Sequence, residues 1–80
     1  MKAEEMFKEI GYRQIDETPT YIEYVKEVNT KIVEIVFDLE EKRIIKQDFN
    51  TLFSYYIKFE EIQAINKQIE ELGWNKGSEK

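Results

Sequence analysis

The same short phrase closes a helical pattern near each end of this chain. At the front, Met6, Phe7 and Ile10 recur at helical spacing and run into Gly11-Tyr12. At the back, Phe59, Ile62, Ile65, Ile69 and Leu72 do the same and run into Gly73-Trp74. A Gly just past a helix takes the left-handed conformation without a Cβ penalty, and the residue after it folds back onto the last turn. The register predicts Tyr12 over Phe7 and Trp74 over Ile69, with Gly73 at positive φ. A helix at each end leaves only the middle for a sheet.

That middle is strand-like. Tyr21 to Val28 and Lys31 to Asp38 are rich in β-branched and aromatic residues. Asn29-Thr30 joins them as a two-residue turn, although Asn-Gly would suit such a turn better. The turn sets Val28 opposite Lys31, Tyr24 opposite Ile35 and Ile22 opposite Phe37. Ile22, Tyr24, Val33, Ile35 and Phe37 then share one face, which is the predicted core. Tyr21, Glu23, Val25, Glu27, Ile32, Glu34, Val36 and Asp38 share the other. Tyr12 to Asp16 reads as a short strand before them, ended by Thr18-Pro19-Thr20. Glu40-Glu41-Lys42 turns the chain into a fourth strand from Arg43 to Phe49, with Ile45 and Phe49 expected inward. Residues 50–57 fit either a strand or a loop. The second helix is expected from Lys58 to Leu72, with Glu60, Glu61, Asn66, Lys67, Glu70 and Glu71 facing water.

The resulting expectation is an α+β fold of order α-β-β-β-(β)-α. It is an antiparallel meander with both helices on one face, in a single domain over residues 1–75 and a frayed tail over 76–80. Eighty residues bury a thin core. Five Phe, five Tyr and one Trp help, since each ring buries much area.

Residue inventory narrows the chemistry. The chain has no His and no Cys. Disulfides, thiolate nucleophiles, zinc–sulfur sites and imidazole bases are therefore out of reach. The two serines, Ser54 and Ser78, have no activating base near them in sequence. No Gly-rich phosphate loop exists, and no cofactor is expected. Asp38, Glu40 and Glu41 could hold Mg²⁺ or Ca²⁺ only weakly, and the simpler reading is a solvated turn balanced by Lys42 and Arg43. A Glu23–Glu34 pair suits acid–base work on a sugar, but one thin layer leaves little room for a cleft. The inventory fits an enzyme least of all classes.

The net charge is −5 and uneven. Residues 1–41 carry eleven acids and five bases, and residues 42–80 carry six acids and seven bases. Such a chain is poorly suited to phosphate backbones. Phe53, Tyr55 and Tyr56 could stack on bases, but no basic stripe accompanies them. They read better as closing the core. No apolar run is long enough for a membrane span. The acidic start, Met1-Lys2-Ala3-Glu4-Glu5, differs from a secretory signal, so a cytoplasmic location is expected.

The surface that stands out is the second sheet face. It mixes Tyr21, Val25, Ile32 and Val36 with Glu23, Glu27, Glu34 and Asp38. Such a patch suits a protein partner selected by charge. A half-solvated sheet that keeps β-branched residues for strand propensity reads equally well. Two other uses are open. Two copies could pair through this face as a homodimer, or the four acids could imitate phosphates as a DNA mimic.

Glu4-Glu5-Met6-Phe7-Lys8-Glu9-Ile10-Gly11-Tyr12 and Glu61-Ile62-Gln63-Ala64-Ile65-Asn66-Lys67-Gln68-Ile69-Glu70-Glu71-Leu72-Gly73-Trp74 resemble a group of small proteins from Gram-positive bacteria and their phages. Tyr21-Ile22-Glu23-Tyr24 and Val36-Phe37-Asp38 fit the same group. The resemblance implies a phage, prophage or mobile-element origin and carries over no functional residue. It also implies action by binding a host protein, such as a defence or nucleic-acid enzyme.

Overall fold

The computed structural model describes residues 1–48 and 57–74. Six elements follow one another: α1 (Ala3–Glu9), β1 (Arg13–Glu17), β2 (Tyr21–Val28), β3 (Lys31–Asp38), β4 (Arg43–Asp48) and α2 (Phe59–Leu72). The strands form an antiparallel sheet in chain order, β1-β2-β3-β4. Both helices join the core on one face of it, so the fold is the expected α+β meander.

The β2–β3 hairpin has the register read from its turn, from Val28 opposite Lys31 to Tyr21 opposite Asp38. Asn29 holds a left-handed φ of 57°, which Asn tolerates better than most residues. Ile22, Tyr24, Ile35 and Phe37 are buried, and Val33 packs against them half-buried. β1 contains a bulge between Gln14 and Asp16. Ile15 falls there and is left exposed. A bulged, charged strand is poorly suited to pairing with another edge.

α1 is only seven residues long and could not persist alone. Phe7 anchors it, stacking on Tyr24 with ring centroids 4.0 Å apart. Its stop is the predicted one. Gly11 has φ 100°, Tyr12 N–H donates to Phe7 O at 2.9 Å, and the two rings meet edge to face at 5.7 Å. α2 ends alike. Gly73 has φ 76°, Trp74 N–H donates to Ile69 O at 3.2 Å, and the Trp74 ring lies 6.3 Å from Phe37.

Two expectations need correction. In β4 the inward residue is Ile44, opposite Phe37, while Ile45 lies opposite Val36 on the outer face. The four-residue turn over 39–42 preserves strand parity, and that fixes the pairing. Phe49 and residues 50–56 lie outside the described residues, as do Phe53, Tyr55 and Tyr56. In α2 the buried face is Glu61, Ala64, Ile65 and Gln68. Phe59 is 71% exposed and Ile62 41%. The helix is rotated from its apolar stripe because two polar side chains on it find partners inside. Tyr24 OH donates to Gln68 Oε1, and Tyr12 OH donates to Glu61 Oε2 at 2.8 Å. A second carboxylate, of Glu71, accepts Ala3 N–H at 2.7 Å and ties the start of α1 to the end of α2.

Candidate functional site

The helices occupy the inner face of the sheet, so the outer face is left as the candidate surface. The register places Arg13 and Asp16 of β1 on it. It adds Tyr21, Glu23, Val25 and Glu27 of β2, and Ile32, Glu34, Val36 and Asp38 of β3. β4 contributes Arg43, Ile45 and Gln47. All eight residues expected from the sequence share this face. Arg13, Asp16, Arg43, Ile45 and Gln47 belong to strands that flank the hairpin. Counting parity through the β3–β4 turn would have found those of β4.

Burial divides the face. Val25 sits between Arg13 and Glu34 in the ladder and is buried, so it supports the surface more than it presents itself. Ile32 and Glu27 are exposed at the hairpin end. Tyr21, Glu23, Glu34, Val36 and Asp38 are half-buried. At the far end a shallow depression of about 380 Å³ runs between β2, β3 and β4, bordered by Tyr21, Glu23, Val36, Asp38, Glu40 and Ile45.

The electrostatics are lopsided. Five carboxylates share the face with two guanidinium groups, those of Arg13 and Arg43. Asp38 is the best satisfied. Its Oδ1 accepts Glu40 and Glu41 N–H, and its Oδ2 accepts Arg43 Nε at 3.0 Å. Together, the Glu41 N–H first among them, these donors hold its carboxyl below the ordinary range. Glu23 is in the opposite position. Burial raises its pKa, and so do a hydrogen bond with Glu34 and the charges of Glu34 and Asp16. Asp16 also accepts the Tyr21 hydroxyl at 2.8 Å, which fixes that ring at the edge of the depression. Among the described residues, Asp38–Arg43 is the only ion pair on this face.

Among the described residues no group of three or more acids is arranged to hold a metal ion. Nor is any described helix long and apolar enough to cross a membrane. The second buried charge site lies on the inner side. There Glu61, only 3% exposed, accepts Tyr12 OH, Lys46 Nζ at 2.9 Å and Lys58 N–H at 3.1 Å. Every oxygen of it is used, so it is a structural joint between α2, β4 and the α1 stop.

Compared with protein-family models, curated proteins and solved structures, the chain has no significant match in any of the three.

Proposed function

We propose that this chain is a non-enzymatic accessory protein that acts by binding another protein through the outer sheet face. One observation carries the reading. Tyr21, Ile32, Val36 and Ile45 present apolar surface among five carboxylates that have two cations between them. A solvated face needs fewer large apolar groups, and a face buried against an apolar partner would strand its acids. A basic partner satisfies both.

A second copy of the chain fits less well. A two-fold contact sets each patch against itself, and here that brings like-charged carboxylates together. The partner implied by the resemblance is a host protein, such as a defence or nucleic-acid-handling enzyme, held inactive while bound. The acids serve to choose a basic surface on it.

Photo-crosslinking in Gram-positive cells tests this. A crosslinker at Val36 should trap one discrete basic partner, and one at Gln63 on α2 should not. Added salt should weaken the adduct at Val36. Equal capture at both positions, or trapping of the chain by itself, contradicts the reading.

A further inference from the structure

The depression between β2, β3 and β4 has two kinds of wall. Val36, Ile45 and the Tyr21 ring are apolar or aromatic, and Glu23, Asp38 and Glu40 carry charge. An occupant needs an apolar stem and a cationic head that can reach more than one carboxylate. Resting on the reading above, we infer that this depression seats an arginine side chain of the partner protein.

Three features favour a cation here, and the third favours arginine over lysine. First, the chain already places a guanidinium on this rim, since Arg43 Nε donates to Asp38 Oδ2 at 3.0 Å. Asp38 Oδ1 is turned to the Glu40 and Glu41 amides, so a second guanidinium is served by Glu23 and Glu40. Second, Glu23 is crowded by Glu34 and Asp16. A cation entering beside it relieves that repulsion, as no described side chain now does. Third, the Tyr21 ring is pinned through its hydroxyl to Asp16. A planar, weakly hydrated guanidinium stacks on such a ring, whereas an ammonium keeps its water.

The test is a titration followed by amide chemical shifts. The probe is an acetylated, amidated pentapeptide with arginine between pairs of glycines, compared with its lysine and citrulline counterparts. The arginine peptide should shift Glu23, Val36 and Ile45 saturably. The lysine peptide should bind roughly tenfold more weakly, the difference of about one charge-assisted hydrogen bond. The citrulline peptide, neutral and of nearly the same shape, should give no shifts. Glu23→Gln should weaken arginine binding roughly tenfold, while Glu60→Gln, exposed on α2 away from this face, should leave it unchanged. Shifts spread over all acidic residues, equal response to arginine and lysine, or no response overturns the seat. If the Val36 crosslink holds while the peptides fail, the seat is wrong and the interaction reading stands. If the peptide binds here but the Val36 crosslink finds no partner, the interaction reading is wrong and the seat of a partner's arginine falls with it.

Discussion

The hydroxyl of Tyr12 donates to Oε2 of Glu61 at 2.8 Å, across a sequence separation of 49. This bond joins the stop of α1 to the first turn of α2. Lys46 from β4 completes it on the other oxygen. Replacing Glu61 by Ala removes the acceptor of the buried Tyr12 hydroxyl and one contact of the half-buried Lys46 ammonium. The expected cost is about 3 kcal/mol in urea unfolding, since a buried hydroxyl loses its acceptor and charge-assisted bonds are lost with it. That is a large share of a small domain's stability.

The same joint sets the acid response. Burial alone would raise the Glu61 pKa, but bonds from Lys46, Tyr12 and Lys58 N–H outweigh it and hold it below the ordinary 4.5. A carboxyl lowered by folding contributes stability above its unfolded pKa and loses it as pH falls through the folded one. Wild type should therefore lose stability between neutral pH and the region below 4.5. In Glu61→Gln that loss should be smaller. Equal pH slopes for the two proteins would show that Glu61 does not drive it.

Tyr12 and Tyr24 respond at the other end of the scale. Burial, and for Tyr12 then the hydrogen bond to Glu61, raises both hydroxyls well above the ordinary 10.0. Each thus supports the fold below pH 10 and ceases to as pH rises toward its folded value. Absorbance titration should show both remaining protonated until the domain unfolds. Tyr12→Phe should cost about 1.5–3 kcal/mol, as expected for a bond to a charged acceptor.

The rotation of α2 gives a sharp contrast. Phe59→Ala should change stability by no more than about 0.5 kcal/mol, as an exposed substitution does. Ile65→Ala, at 8% exposure, should cost about 2–4 kcal/mol. The apolar stripe alone would rank the two alike. Calorimetric melting of both variants decides between them.

Trp74 and Gly73 separate packing from backbone strain. The Trp74 ring is half-buried against Phe37, so Trp74→Ala should cost about 2 kcal/mol, below the range for a fully buried ring. Gly73 has φ 76° but nothing within 4 Å of an added Cβ. Gly73→Ala should therefore cost only about 1 kcal/mol of left-handed strain. A larger loss for Gly73→Ala than for Trp74→Ala in urea unfolding would reverse this assignment.

The parts legible in the sequence were those set by local rules. Alternation and a two-residue turn fixed the β2–β3 register, and a Gly before an aromatic marked both helix stops. The outer-face residues of β2 and β3 followed from the same parity. What escaped depended on strand pairing and on hydrogen-bond partners, which a hydropathy pattern does not record. Adjacent Ile44 and Ile45 are equivalent to a hydropathy pattern, and only pairing of Arg43 with Asp38 chooses between them. Glu61 was expected to face water, and Gln68 lies off the apolar stripe. They are buried because Tyr12, Lys46 and Tyr24 supply donors there, and periodicity carries no record of donors. The bulge at Ile15 had no signal of its own.

The central claim is that the outer sheet face, and not the helices, meets the partner. It is tested most directly by calorimetric titration of the partner trapped at Val36 against two variants. Val36→Lys puts a like charge against a basic surface and should weaken binding at least roughly tenfold. Gln63→Lys, on the exposed side of α2, should leave it within about twofold, under half a kcal/mol. Loss of binding in Gln63→Lys with Val36→Lys unaffected would contradict the account.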